Sequence, residues 1–313
     1  MRLLIAVFLL SWFFLPDANS FVSYTDGNGN LFLWNVSTDN VEQVTNIGFS
    51  REHTWSPDGT QIVYQMTASI IIYDIESDAH TPIVESETTT QYLHPRWSPD
   101  GRYIAFASHE DGDWDIYTYE LDTETITNIT QTDFDDGNKG FDWLSDSEHI
   151  IFVRDGDIRF DETADIYVED TLHITNLNGT IDEVIHQINP GCMVGEVFFN
   201  PRWHPVSNQF AITASCGGGD SVDIYTVNRD VDEPHIINMT NGAYLQAGFR
   251  GIAWFGCGEG IAFIALVEDD TTSDEVLSLM LDTADNSPVI EQLTDSPRRT
   301  RYNGMASYSS IGC

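Results

Sequence analysis

The sequence predicts an all-β fold: a six-bladed β-propeller of four-stranded antiparallel blades, closed by a C-terminal strand that pairs into the N-terminal blade. Three observations lead there. An aromatic anchor recurs at Trp55, Trp97, Trp143, Trp203 and Trp254, spaced 42, 46, 60 and 51 residues apart. The clearest anchors are followed by a Ser-Pro-Asp-Gly turn and then a short apolar run. No helical period separates one copy from the next, so a repeat of this length reads as a blade of short strands.

Taken in order, residues 1–20 carry one basic residue, an apolar run from Leu3 to Leu15 broken only by Ser11, and small residues at Ala18 and Ser20. This is the pattern of a signal peptide cut before Phe21, and a stretch of 13 residues falls short of the ~20 needed to span a bilayer. Stable membrane insertion is therefore not expected, and residues 21–313 read as one domain. FVSYT, LFLWNV and VEQVT then supply strands B, C and D of a blade that has no strand A before them.

Each later copy reads as strand A ending on the Trp, a tight turn, strand B, a polar loop, a DIY-like strand C, and a strand D ending before Thr. Proline at the second turn position presets φ, and glycine at the fourth tolerates the exit geometry. Blade one is HTWSPDGTQIVYQM with IIIYDI; blade two is HPRWSPDGRYIAFAS with DIYTYE. In blade three, FDWLSDSEHIIFV is followed by an insertion over residues 155–171 and a strand C placed at LHITNLN. Blade four is NPRWHPVSNQFAITAS with DIYTVN, preceded by a long connection from Gln187 to Asn200, and blade five is IAWFGCGEGIAFIAL. Adding 54 to Trp254 reaches Tyr308, a sixth anchor whose strand would complete the N-terminal blade.

The chain carries 50 acidic and 13 basic residues, a formal charge of −37. With 41% hydrophobic residues it has the apolar mass for a core, which excludes a disordered acidic tail, and its negative surface argues against nucleic acid.

The run PRWSPDGRYIAFAS from Pro95 to Ser108, with DIY at Asp115 to Tyr117, resembles the repeat of the TolB-like six-bladed propeller family. The resemblance covers nearly all of the chain after residue 20 and is strongest in blade two. It implies a periplasmic or secreted protein. Family members of the TolB type contact a lipoprotein and carry an α/β domain ahead of the propeller; here residue 21 already begins strand B, so that domain is not expected. The same repeat forms the propeller of prolyl-oligopeptidase-like enzymes. No GxSxG occurs in these 313 residues and none remain to build a hydrolase domain, which excludes a serine peptidase.

In propeller topology the D-to-A and B-to-C connections share one face, the mouth of the central channel. Arg51, Arg96, Lys139, Arg202, Arg250 and Arg301 each fall within seven residues before an anchor, one per blade, although only 12 basic residues follow residue 20. They form a candidate cationic collar for an anionic ligand, with His53 and His94 beside them. The expected ligand is a protein, a peptide or an acidic glycan, bound by a monomer without catalysis, metal or cofactor. The alternative is a metal-assisted, lyase-like carbohydrate-active enzyme using the channel histidines, as on a related propeller scaffold; no HxH or HExxH spacing supports it. Four cysteines in an exported chain imply disulfides, and the blade positions pair Cys192 with Cys216 on the mouth face and Cys257 with Cys313 on the opposite face.

Overall fold

The computed structural model describes residues 21–292 apart from short stretches, the longer of which are 86–90, 161–165, 217–221, 241–251, 267–273 and 282–287. The described residues form one three-stranded and five four-stranded antiparallel sheets, with no helix among them.

The first sheet holds β1 (Phe21–Thr25), β2 (Leu31–Asn35) and β3 (Asn40–Gln43), the three strands that lack a strand A. Blade one holds β4 (Ser50–Trp55), β5 (Gln61–Met66), β6 (Ser69–Asp74) and β7 (Ala79–Glu85), hydrogen-bonded in chain order. Blade two repeats this order with β8 (Tyr92–Trp97), β9 (Tyr103–Ser108), β10 (Asp115–Glu120) and β11 (Thr125–Asn128). Blade three follows with β12 (Asp136–Trp143), β13 (His149–Phe160), β14 (Ile166–Asn176) and β15 (Ile181–Ile185). Blade four contains β16 (Glu196–Trp203), β17 (Gln209–Cys216), β18 (Val222–Asn228) and β19 (His235–Asn238). Blade five contains β20 (Ile252–Phe255), β21 (Gly260–Leu266), β22 (Asp274–Leu281) and β23 (Pro288–Gln292).

The core lies between successive sheets rather than inside any one of them. Leu31 and Leu33 meet Trp55, Ile62 and Tyr64; Val63, Ile70 and Ile72 meet Trp97, Ile104 and Phe106. Ala105, Ala107 and Ile116 meet Phe141, Trp143 and Phe152; Ile151, Val153 and Leu172 meet Phe198, Trp203 and Phe210. Ala211 and Ile224 meet Ile252, Trp254 and Phe263. Each anchor Trp thus joins the apolar cluster shared with the preceding sheet. Strands covered on both faces lose the alternation of a half-exposed sheet, which is why β5 and β6 bury four residues in a row while β3 is exposed throughout.

The turns follow from their residue types. In blades one and two the Ser Oγ donates to the Asp carboxylate, Ser56 to Asp58 and Ser98 to Asp100, both at 2.6 Å. Gly59 and Gly101 adopt φ of 70° and 75°, a region that glycine enters without a Cβ penalty. Blade four lacks both Ser and Asp, and His204 replaces them, its Nδ1 accepting the Val206 and Ser207 backbone N–H groups at 3.2 and 3.1 Å.

A second repeated device locks strand C to the end of strand D. Asp115 accepts from Asn128 Nδ2 and Thr130 Oγ1 at 2.8 and 2.7 Å, and Asp223 accepts from Asn238 Nδ2 and Thr240 Oγ1 at 3.1 and 2.6 Å. Two of the four Asn-x-Ser/Thr sequons are therefore structural locks as well as potential glycosylation sites.

The blade-three insertion differs from the expected loop. β13 and β14 continue past a bulge between Arg154 and Asp157 and pair as far as Phe160 with Ile166. Ile158, Arg159 and Phe160 face Val168, Tyr167 and Ile166 across this hairpin, so the insertion extends the sheet itself. Cys192 and Cys216 form a disulfide that ties the approach to β16 to the end of β17. Cys257, Tyr308 and Cys313, and with them the closing strand, lie outside the described residues. No helix of the described residues is long and apolar enough to cross a membrane.

Candidate functional site at the inner strands

Strands A of neighbouring blades bring charged groups together from residues far apart in sequence. Aligned on their Trp, blades one to four place Thr54, Arg96, Asp142 and Arg202 immediately before the anchor, and Glu52, His94, Gly140 and Asn200 three residues before it. All but β4 show left-handed backbone at that third position: φ is 56° at His94, 113° at Gly140 and 51° at Asn200. Each A strand from β4 to β16 also slips register nearby, as between Leu93 and Arg96 and between Phe199 and Arg202. Bulges of this kind bend a strand and re-aim the side chains that follow.

His94 bridges three blades. Its Nδ1 lies 2.6 Å from Glu52 Oε2 in blade one, and its Nε2 lies 3.0 Å from the Asn138 carbonyl in blade three. Burial by itself would raise the Glu52 carboxyl, but the charge and hydrogen bond of His94, with Arg96 and Arg202 beyond, hold it down to about 2. His53 is closed off at 4% exposure, and burial pushes its imidazole down to about 4, so it sits neutral in the core at neutral pH.

The collar cations do not share one fate. Lys139 is held by Asp155 at 2.5 Å and by the fully buried Asp170 at 2.9 Å, and its charge is neutralised within blade three. Arg154 likewise pairs with buried Asp136 at 2.7 Å. Arg202, by contrast, donates only to carbonyls: Nε to Ile252 at 3.1 Å, and Nη1 to Phe141 at 3.3 Å and Pro201 at 2.8 Å. Arg96 Nη1 donates to its neighbour Pro95 at 3.3 Å, and Arg96 Nε is buried with no hydrogen-bond partner. Burial, with the charge of Arg96 added to it, draws Arg202 down to about 9. Burial also raises the Asp142 carboxyl, against the pull of Arg202 and Arg96, while its Oδ2 accepts the Trp203 N–H at 2.9 Å. Asp142, Arg202 and Glu52 keep partial exposure.

The Arg51 side chain, Arg250 and Arg301 lie outside the described residues. Among the described residues no three His, Cys, Asp or Glu side chains gather closely enough to hold a metal ion. Sequence reasoning missed Glu52 and Asp142. Aligning the repeats on Trp would have shown Asp142 standing where blades two and four have Arg.

Four-stranded antiparallel sheets, interblade Trp anchors and the repeated turn give the chain a propeller architecture similar to that of the TolB and DPP IV N-terminal propellers. Residues 56–151 match the family described as the dipeptidyl peptidase IV (DPP IV) N-terminal region. An uncharacterized protein of Agrobacterium fabrum, Atu1656, is 28% identical over 165 residues, covering 51% of this chain and 53% of that protein. The TolB structure from Acinetobacter baumannii superposes with a TM-score of 0.61 at 13% identity, covering 92% of this chain and 64% of that one. The oligogalacturonate lyase of Vibrio parahaemolyticus gives 0.56 at 12% identity, covering 88% and 79%. The chain thus spans about half the length of the curated relative, and the two structural likenesses establish fold alone.

Proposed function

We propose that the chain is an exported, non-enzymatic propeller, its six blades closed by the C-terminal strand, that binds a protein, peptide or glycan ligand at the mouth of its central channel. The observation that carries this reading is the convergence of Glu52, His94, Arg96, Asp142 and Arg202 from four blades. These groups are expensive to bury, and two of the cations have no carboxylate within ion-pair distance among the described residues. A purely structural ring would place apolar residues there. The blade-three hairpin extends the sheet at the end where strand A begins, the other end from Arg96, Asp142 and Arg202, and insertions on a regular scaffold commonly build a binding rim. The disulfide between Cys192 and Cys216 fits an oxidising compartment.

The metal-assisted lyase reading has the likeness to oligogalacturonate lyase in its favour. Against it, both ring nitrogens of His94 are already engaged by Glu52 and Asn138.

Photo-crosslinking residues placed at Phe134, exposed in the connection into strand A of blade three, and at Val41, exposed on the edge strand β3, test the binding reading. Incubation with an extract of the source cells is expected to trap a ligand through position 134 and not through position 41. Equal capture from both positions contradicts it. Stoichiometric manganese or zinc in the purified protein, lost on His94→Ala, supports the enzyme instead.

A further inference from the structure

Blades two and four carry the same three-residue stretch, Pro95-Arg96-Trp97 and Pro201-Arg202-Trp203, each behind a non-glycine residue in left-handed conformation. Histidine at φ 56° is strained, of order 1 kcal/mol or more, and such strain persists only where neighbouring structure enforces it. Here Glu52 and Asn138 hold His94 from both sides, so the bulge that aims Arg96 is braced by the blades on either side of it. The two arginines occupy the same repeat position, with Asp142 in that position of the blade between them.

Arginine offers five N–H donors in a planar fork suited to a carboxylate. Arg96 places one of them, on a carbonyl, and its buried Nε has no hydrogen-bond partner. Arg202 satisfies carbonyls of three successive blades and makes no ion pair among the described residues. A buried cation with no carboxylate within ion-pair distance is costly, and an incoming anion supplies the direct partner that Glu52 and Asp142 do not. Its charge is limited by the surroundings. Glu52 and Asp142 stand close enough to influence Arg202, so a dianionic phosphate meets more repulsion here than a single carboxylate. A polyuronate adds one negative charge per sugar to a protein of net −37, whereas a peptide chain can bring one carboxylate at its end and nothing negative behind it.

We propose that Arg96 and Arg202 form a two-armed clamp for the C-terminal carboxylate of a peptide or protein chain that is neutral or basic near its end. The proposal rests on the mouth-face binding reading and gives it a ligand chemistry.

Thermal-shift and calorimetric titrations with N-acetylglycine, its amide N-acetylglycinamide and trigalacturonate test it on the full chain. N-acetylglycine is expected to raise the melting temperature saturably and the amide to leave it unchanged. Arg96→Met with Arg202→Met is expected to weaken the acid's binding at least about tenfold, roughly 1.4 kcal/mol. Asp142→Asn, which removes a negative charge while keeping an acceptor for the Trp203 N–H, is expected to bind several-fold tighter, and it decides the matter should the arginine variants fail to fold. Equal response to acid and amide, undiminished binding by the double variant, or weaker binding by Asp142→Asn overturns the clamp. Preference for trigalacturonate overturns the peptide end. In each of these cases, ligand captured through position 134 leaves the mouth-face reading standing.

Discussion

Trp97→Ala is expected to lower the unfolding free energy by about 3–5 kcal/mol, the range for deleting a large aromatic from a packed core. Trp97 is 9% exposed and belongs to the cluster in which Val63, Ile70 and Ile72 of blade one meet Ile104 and Phe106 of blade two. Its removal opens a cavity at a seam between blades. The indole N–H of Trp97 has no hydrogen-bond partner, whereas that of Trp143 donates to the Arg96 carbonyl at 3.2 Å. Trp143→Phe should therefore cost about 1 kcal/mol more than Trp97→Phe, the net worth of one such bond. Urea unfolding checks both, with a shift in midpoint at unchanged slope. A near-neutral Trp97→Ala would remove Trp97 from the seam.

Asp170→Ala is expected to destabilise by a similar amount, about 3–5 kcal/mol, through electrostatics rather than packing. Asp170 is 0% exposed, receives Lys139 Nζ at 2.9 and 3.0 Å, and accepts the Phe198 backbone N–H of the next blade at 2.9 Å. Truncation leaves that N–H unsatisfied and Lys139 with Asp155 alone. Burial raises the Asp170 carboxyl and Lys139 opposes that rise, so the two depend on one another. Removing both charges, as Asp170→Leu with Lys139→Met, should recover much of the loss in equilibrium unfolding, because a buried pair is often no better than apolar residues of similar size. A double variant as unstable as Asp170→Ala would place the loss in the unsatisfied Phe198 N–H and the released Asp155 rather than in an uncompensated Lys139.

These two residues also mark what the sequence could reveal. Trp97 was legible because a Trp recurs at its place in five copies, twice followed by the Ser-Pro-Asp-Gly turn, and a residue wedged between blades must be large and apolar in every copy. The three-stranded first sheet was legible for the same reason: FVSYT, LFLWNV and VEQVT match strands B, C and D of the other blades. The pairing of Lys139 was not. Its partners Asp155 and Asp170 lie 16 and 31 residues further on, on strands β13 and β14, and among so many acidic residues no spacing rule singles them out. The continuation of β13 and β14 was hidden because Asp155, Gly156 and Asp157 read as a turn, while in the fold they carry a bulge. The arginine pair was half legible. The repeated Pro-Arg-Trp placed Arg96 and Arg202, but their lack of carboxylate partners depends on strand register across four blades.

The closed ring is the central proposal, since a channel shared by Arg96 and Arg202 requires that the last strand complete the N-terminal sheet. Peptide mapping of the unreduced protein tests it most directly. The account expects Cys192 joined to Cys216 and Cys257 joined to Cys313, the second bond holding the closing strand beside blade five. A peptide linking Cys192 to Cys313 would contradict it.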